Sequence, residues 1–186
     1  NKCINETVFE RYKQLIIDFK NYYTSQGFPV YENPSPGNKE GGITTLEEKS
    51  CGCITKAGST PIVDVLKYGD IVKEKGVSAL EGPGNDLIAA TALGASGCQI
   101  ILFTTGRGTP FATFVPTIKV GTNDRISAFK SNWIDFNAYS MNDEGLFDLL
   151  IKVCNGEVIL STEKNHEIAF YKQGVTLWVI SKTISY

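Results

Sequence analysis

The sequence has very little histidine and very little methionine. His166 is the single histidine among 186 residues, and Met141 is the single methionine. Because catalytic zinc sites and Ser-His-Asp triads depend on imidazoles, the chain alone predicts neither a multi-histidine zinc site nor such a triad. We expect His166 to lie on a solvated helical face, since its neighbours are the charged residues Glu163, Lys164 and Glu167.

Long apolar runs and an excess of basic charge are also absent. No apolar stretch approaches the roughly 18 residues that span a bilayer, and no charged and then apolar leader opens the chain. The formal net charge is −2, which provides no basic field for a nucleic acid or an anionic membrane. We therefore expect a cytoplasmic protein without nucleic-acid or membrane partners. The chain begins at Asn1 rather than at methionine, and we expect it to be part of a longer protein.

The cysteines do not follow a disulfide pattern. Five cysteines are scattered through a chain of ordinary size, which favours reduced thiols. Cys51 and Cys53 are one residue apart, but a tetrahedral thiolate site needs further ligands at matching spacing, and none appear. The sequence also has neither a G-x-G-x-x-G fingerprint after a strand nor a G-x-x-x-x-G-K-[ST] phosphate loop. Nucleotide binding is therefore unsupported.

The amino-terminal part begins with helical periodicity and then loses it. Apolar residues recur every three or four positions from Val8, which predicts a helix over Asn5–Gln26, with Thr7 and Glu10 as a capping box. No periodicity continues through residues 31–59, where the stretch from 33 to 42 contains two prolines and three glycines. We predict a long loop there, and loops of that length in compact domains are usually functional or disordered.

Short β-prone runs alternate with helical stretches in the rest of the chain. The predicted strands are Val77–Leu80, Gln99–Phe103, Pro116–Val120 and Trp133–Phe136. The predicted helices are Asp86–Ala95, Asp124–Lys130, Glu144–Asn155 and Ser161–Lys172. This alternation is typical of α/β proteins with a mostly parallel sheet flanked by helices, in a Rossmann-like three-layer arrangement. We expect one domain over 1–186, with a leading helix in 1–30, an active-site-type loop in 31–59 and an α/β core in 60–186.

Two polar, glycine-rich turns follow predicted strands. Residues 81–86 precede a helix, and residues 104–110 place Arg107 between two glycines. Ligands of open parallel sheets bind beyond the carboxyl ends of the strands, where helix amino termini and guanidinium groups attract anions. The same residues are also ordinary turn and capping chemistry, with Asp86 as a possible cap. Both interpretations stay open.

Glu47, Glu48 and Lys49 form a charge run within the predicted loop. A solvated charged surface accounts for such a run. A carboxylate that acts as a base or as a ligand of a hard metal accounts for it too.

Several blocks of the sequence resemble altronate and galactarate dehydratases in the same order. They are NPSPGNKEGGITTLEEKSCGC from Asn33, EGPGND from Glu81, LFTTGRGTPF from Leu102, VPTIKVGTN from Val115, WIDFNA from Trp133 and the tail EIAFYKQGVTL from Glu167. The resemblance implies a hydro-lyase, a carbon–oxygen lyase that converts a sugar acid such as D-altronate into a 2-keto-3-deoxy acid with the help of Fe²⁺ or Mn²⁺. It also implies that this is the carboxyl-terminal domain, inactive alone, and that the metal is bound largely by the rest of the polypeptide.

Within these blocks we assign candidate roles from residue chemistry. Arg107 is the candidate for the substrate carboxylate. The candidates for substrate hydroxyls are Asn38, Thr44, Thr45, Asn85 and Thr109. Glu48 and Lys49 are the catalytic candidates for proton transfer, and the metal candidates are Glu47, Glu48 and Cys53. Cys51 stands where relatives commonly have leucine and is therefore no candidate.

Other functions remain open from the sequence. Galactarate dehydratases and sulfolactate sulfo-lyases resemble the same blocks, and the sulfo-lyases expel sulfite rather than water. A non-catalytic module that binds an anionic metabolite or mediates oligomerisation is the alternative of another class. The expected partners are the sugar acid, the remainder of the polypeptide and, as an open possibility, further copies of the chain.

Overall fold

The structure, a computed structural model, describes residues 2–28, 34–40 and 42–171. The described residues form two compact units. The first contains those up to residue 67 together with 73–81, and the second contains 68–72 and 82–171. Within the described ranges, no helix has the length and apolar character needed to cross a membrane.

The first unit contains three helices and a two-stranded parallel sheet among its described residues. They are α1 (Glu6–Thr24), α2 (Pro36–Glu40), α3 (Leu46–Lys56), β1 (Ile62–Leu66) and β2 (Val77–Leu80). The apolar face of α1 packs on β1, where Val8, Ile62 and Val65 form a buried cluster. The predicted capping box of Thr7 and Glu10 is wrong, because α1 is capped by Asn5, whose side chain accepts a 3.0 Å hydrogen bond from the backbone N–H of Val8.

The prediction of an irregular stretch over residues 31–59 is wrong for α2 and α3. Helix α3 has no buried residue. A helix that is exposed all round does not need an apolar face, so the apolar spacing of three and four residues that predicts a helix is missing from its sequence. Its start is instead encoded by Thr45 and Glu48, which form a capping box. Strand β1 was also missed. Residues 29–33 and 41 lie outside the described residues.

The second unit contains a three-stranded parallel sheet and three helices among its described residues. They are α4 (Asp86–Ala95), β3 (Ile101–Thr105), β4 (Thr117–Gly121), α5 (Asp124–Phe129), β5 (Phe136–Asn137) and α6 (Asp143–Cys154). Strand β4 lies between β3 and β5 and is buried along its whole length. One face of the sheet packs on Val153 of α6, and the other lies against α4 through Ala90.

The α/β class, with parallel strands and flanking helices, is confirmed. The strand predicted at Trp133–Phe136 is shorter and begins only at Phe136. The helix predicted at Ser161–Lys172 is wrong over 161–171, which forms turns and extended chain. Its backbone is used elsewhere: Ala112 donates to the carbonyl of Asn165, and Glu167 donates to the carbonyl of Ala112. Residue 172 lies outside the described residues.

Candidate functional site

In the first unit, the start of α3 gathers several of the predicted site residues. Oε2 of Glu48 accepts hydrogen bonds from the backbone N–H of Thr44 (2.8 Å), the hydroxyl of Thr44 (3.0 Å) and the backbone N–H of Thr45 (3.1 Å). In return, the backbone N–H of Glu48 donates to the hydroxyl of Thr45 at 3.1 Å. The side chains of Thr44, Thr45 and Glu48 therefore have a structural role at the beginning of the helix.

These hydrogen bonds also change the acidity of Glu48. Donation from Thr44, first from its backbone and then from its hydroxyl, lowers the pKa of the Glu48 carboxyl below its ordinary value of 4.5. The carboxylate is consequently ionised at neutral pH. A general base works best when its pKa lies near the operating pH, so the capping role weakens Glu48 as a base.

Asn38 and Lys49 form the other half of this cluster. The ammonium group of Lys49 donates a 2.9 Å hydrogen bond to Oδ1 of Asn38, which also accepts from the hydroxyl of Ser35 at 3.0 Å. Lys49 is half-buried, although most of α3 is exposed. Oδ1 of Asn38 can only accept, so the ammonium group of Lys49 is the donor in this contact. The NH₂ group of Asn38 is chemically suited to donate to a substrate oxygen.

The predicted metal ligands are not assembled into a site by α3. Glu47 and Cys53 are exposed and six residues apart, and Glu48 and Cys53 are five apart, whereas helical residues share a face at spacings of three and four. Across residues 2–28, 34–40 and 42–171, no group of three or more His, Cys, Asp and Glu side chains is placed to hold a metal ion. These residues therefore do not fit a complete metal site by themselves.

In the second unit, Arg107 lies in the turn that follows β3. The hydroxyl of Thr105 accepts hydrogen bonds from the backbone N–H groups of Arg107 (3.3 Å) and Gly108 (2.9 Å). Gly108 has φ +74°, the left-handed conformation that glycine adopts most easily. The side chain of Arg107 is exposed, so the turn presents a guanidinium group beyond the carboxyl end of β3, an edge strand of the sheet.

Asn85 and Thr109 have structural contacts of their own. The side-chain oxygen of Asn85 accepts a 3.1 Å hydrogen bond from the backbone N–H of Ile88 and so caps α4. The carbonyl of Thr109 accepts a 2.9 Å hydrogen bond from Lys119. The hydroxyl of Thr109 is buried without a hydrogen-bond partner among the described residues.

Lys119 is a prominent residue that the sequence analysis missed. It lies on β4, its side chain is fully buried, and its ammonium group lies 3.8 Å from the centre of the Phe111 ring. Burial lowers the pKa of Lys119 to about 8, while the charges of Asp135 and Asp86 act in the opposite direction. The only signal in the sequence is a lysine between Ile118 and Val120 in a β-prone run, where an apolar residue is expected.

His166 is not on a helix, in contrast to the prediction. It is exposed, and its Nδ1 lies 2.7 Å from the carbonyl oxygen of Thr113, which makes that nitrogen the donor. A cavity of about 170 Å³ lies beside it, lined by Ala112, Phe114, Val115, Pro116, Thr117, Leu160, Glu163 and His166. The imidazole thus joins two segments of the second unit.

Comparison with known proteins gives a consistent result. Residues 1–176 match the family described as D-galactarate/Altronate dehydratase, C-terminal. The chain is 52% identical, over 95% of its length, to altronate dehydratase of Bacillus subtilis (strain 168), and 46% identical, over 94%, to altronate dehydratase of Escherichia coli (strain K12). It is 36% identical, over 74%, to galactarate dehydratase (L-threo-forming) of Escherichia coli (strain K12), and covers 26% of it. The chain spans 37% of the length of each altronate dehydratase.

Proposed function

Because the chain belongs to the D-galactarate/altronate dehydratase family, whose C-terminal region it matches, we propose that it is the carboxyl-terminal part of a hydro-lyase that dehydrates a sugar acid. The proposed substrate is D-altronate, and the proposed product is 2-dehydro-3-deoxy-D-gluconate. The observation that carries the proposal is the 52% identity to an altronate dehydratase over 95% of the chain. Identity to the galactarate dehydratase is lower, at 36%.

Removal of water from a sugar acid makes three chemical demands. A base takes the proton from the carbon beside the carboxylate, positive or hydrogen-bond-donating groups stabilise the enediolate that forms, and an acid protonates the hydroxyl that leaves on the neighbouring carbon. The carbon–hydrogen electron pair is first delocalised toward the carboxylate in the enediolate. It then forms the new carbon–carbon double bond as the carbon–oxygen bond breaks and the protonated hydroxyl leaves as water. Tautomerisation of the resulting enol then gives the 2-keto-3-deoxy acid.

For the first unit, we propose that Lys49 supplies the acid. Its ammonium group already donates to the amide oxygen of Asn38, which holds a protonated amine in a defined position. Asn38, Thr44 and Thr45 are proposed to bind substrate hydroxyls. Glu48 is retained as the candidate base, although its lowered pKa and its capping contacts favour a structural role.

For the second unit, we propose that Arg107 binds the substrate carboxylate. Its guanidinium is exposed on a turn beyond the carboxyl end of β3, and a guanidinium can bind a carboxylate through two parallel hydrogen bonds. Asn85 and Thr109 are weaker candidates, because the oxygen of Asn85 caps α4 and the hydroxyl of Thr109 is buried.

We also propose that the whole enzyme depends on Fe²⁺ or Mn²⁺, with ligands that lie largely outside the described residues. A cytoplasmic location and self-association are proposed as well. Metal dependence is tested by treating the full-length protein with a chelator, measuring its metal content, and adding back each ion separately. Activity that survives complete removal of the metal would refute this part of the proposal.

The substrate is tested with the full-length protein supplied with Fe²⁺ or Mn²⁺. D-altronate, galactarate and sulfolactate are offered separately, and the 2-keto-3-deoxy product or released sulfite is measured. We expect turnover of D-altronate. Preferential turnover of galactarate would correct the substrate, sulfite release would correct the reaction, and no product from any sugar acid would refute the proposal.

The roles of the residues are tested by substitution in the same protein. Lys49→Met and Arg107→Ala are expected to lower kcat/KM by about 10²-fold or more. Lys56→Met, which removes another lysine of α3, is the matched control and is expected to retain activity. If Lys49→Met, Arg107→Ala and Glu48→Ala all leave the rate unchanged, the chain is better explained as a non-catalytic binding or oligomerisation module.

A further inference from the structure

Hydrogen bonds from other parts of the second unit hold the backbone of the turn that carries Arg107. Six successive carbonyl groups, from Thr105 to Pro110, each accept a hydrogen bond from elsewhere in the second unit. The donors are Thr122 for Thr105 (3.1 Å), Asn123 for Gly106 (3.3 Å), Lys130 for Arg107 (2.7 Å) and Gly108 (3.4 Å), Lys119 for Thr109 (2.9 Å), and Asn165 for Pro110 (2.8 Å).

Most of these donors are side chains that come from well-separated parts of the sequence. Asn123 caps α5, Lys130 follows that helix, Lys119 lies on β4, and Asn165 is 55 residues from its partner. A surface turn that only connects two elements can satisfy its carbonyls with water. This turn is instead fixed at each residue, which is the arrangement expected where the position of a side chain matters.

The two lysines are held in the same way. The ammonium group of Lys119 contacts the carbonyl of Thr109 and lies 3.8 Å from the Phe111 ring centre. The ammonium group of Lys130 contacts the carbonyl of Arg107 and lies 4.6 Å from the Trp133 ring centre. An aromatic face restrains each cation by electrostatic attraction. Each lysine is thereby a rigid donor rather than a loosely attached one.

None of the six bonds uses the guanidinium group of Arg107, whose side chain is exposed. The backbone of the residue is therefore fixed while its side chain is available to a ligand. A misplacement of about 1 Å at a binding group can reduce a rate by about 10²-fold. Lys130 has the most direct influence, because it binds the carbonyl of Arg107 itself.

We propose that Lys130 and Lys119 are positioning residues, which hold the backbone of the turn so that Arg107 meets the carboxylate of the substrate. The inference rests on the proposed function, in which Arg107 binds that carboxylate. Neither lysine contacts the substrate. Their effect passes through Arg107, with Lys130 as the principal positioning residue.

The first experiment replaces Lys130 in the full-length enzyme and measures kcat and KM for D-altronate. Lys130→Met retains an apolar stem but removes the donor, and we expect KM to rise about tenfold while kcat changes by less than about threefold. Lys130→Arg keeps a charged donor and is expected to restore most of the loss. Lys152→Met, an exposed lysine on α6, is the matched control.

A double-mutant cycle separates positioning from general damage. If Lys130 acts through Arg107, Lys130→Met will lower kcat/KM by less than about twofold in an Arg107→Ala background, because residues that act as a unit are not additive. An undiminished effect of Lys130→Met in that background would overturn the inference. If Lys130→Met does not fold, Lys130→Leu, which also removes the donor, is used in the same cycle.

The outcomes also distinguish this inference from the proposed function. If Arg107→Ala leaves kcat/KM unchanged, the carboxylate-binding role fails and the positioning inference fails with it. If Arg107→Ala lowers kcat/KM while Lys130→Met leaves KM unchanged, only the positioning inference is refuted.

Discussion

Lys119 and Phe103 are direct neighbours in the parallel register of β3 and β4, and the ammonium nitrogen of the lysine lies 4.8 Å from the centre of the phenylalanine ring. The lysine is completely buried, and that burial lowers its pKa to about 8. A buried cation is costly unless it is hydrogen-bonded. Here the carbonyl of Thr109 and two aromatic rings compensate for part of the lost hydration.

The pKa of Lys119 predicts a pH dependence of stability. The folded-state pKa is about 8 and the ordinary value is 10.5, so between these limits the unfolded chain binds more protons than the folded chain. The free energy of unfolding therefore increases as the pH rises from about 8 toward 10.5, by an amount on the order of 3 kcal/mol.

The measurement compares the melting temperature of the full-length protein with that of Lys119→Met from about pH 7 to about pH 10, a range that contains the folded-state pKa. The wild type should gain stability relative to the variant as the pH rises. A difference between the two proteins that stays constant with pH would show that Lys119 titrates normally.

A second prediction separates the structural and catalytic roles of Glu48. Glu48→Gln retains a side-chain oxygen that can accept from Thr44 and Thr45, since glutamine also occurs in capping boxes. It removes the charge that a base requires. If Glu48 only caps α3, Glu48→Gln should retain kcat within about threefold, whereas loss of a general base lowers it by about 10²-fold or more.

Glu48→Ala is the companion variant, because it removes both the cap and the charge. We expect it to increase hydrogen exchange at the amino end of α3, with Thr45→Ala having a similar effect. Faster hydrogen exchange in Glu48→Gln as well would contradict this prediction, because it would mean that the charge of Glu48, rather than its side-chain oxygen, stabilises the start of α3.

Helices and strands whose sequence signal lies within a few residues were predicted well. Val77–Leu80 and Asp86–Ala95 have the predicted limits, because a short β-prone run and a short helix that follows a capping residue are both encoded within a few residues. The cap of α4 is Asn85, however, and not Asp86 as the sequence suggested. Helix α3 was not predicted, since an exposed helix has no apolar period. The helix expected over Ser161–Lys172 fails for the opposite reason: its residues favour a helix locally, but pairing with Ala112 prevails.

The site shows the same division between local and long-range information. The capping contacts of Thr45, Glu48 and Asn85 lie within three or four residues in sequence, and a capping role was predictable for each of them. The contacts of Lys119 and Lys130 with the Arg107 turn span 10 and 23 residues. Sequence periodicity does not predict such contacts, because they depend on where β4 and the end of α5 lie in the folded unit rather than on local spacing.

A third prediction concerns Cys53 as a metal ligand. On α3 it shares no face with Glu47 or Glu48, so a metal bound by Cys53 would need its other ligands from elsewhere. We expect Cys53→Ala to leave the metal content of the full-length protein unchanged, as measured by elemental analysis after gel filtration. Cys51→Ala is the matched control, and loss of metal from Cys53→Ala alone would establish Cys53 as a ligand.

The last prediction uses Gly108 to disturb the contact between Lys130 and the Arg107 turn. A Cβ at Gly108 would lie 3.0 Å from Cδ of Lys130, and the residue has φ +74°. Alanine there both strains the backbone, by about 1 to 2 kcal/mol, and displaces the lysine.

Gly97→Ala is the matched control, because φ is +109° but a Cβ meets nothing within 4 Å. Both variants should lose stability, measured by melting temperature, but only Gly108→Ala should lower kcat/KM for D-altronate, by about tenfold. Equal kcat/KM values in the two variants would show that the position of Lys130 against the turn does not matter for catalysis.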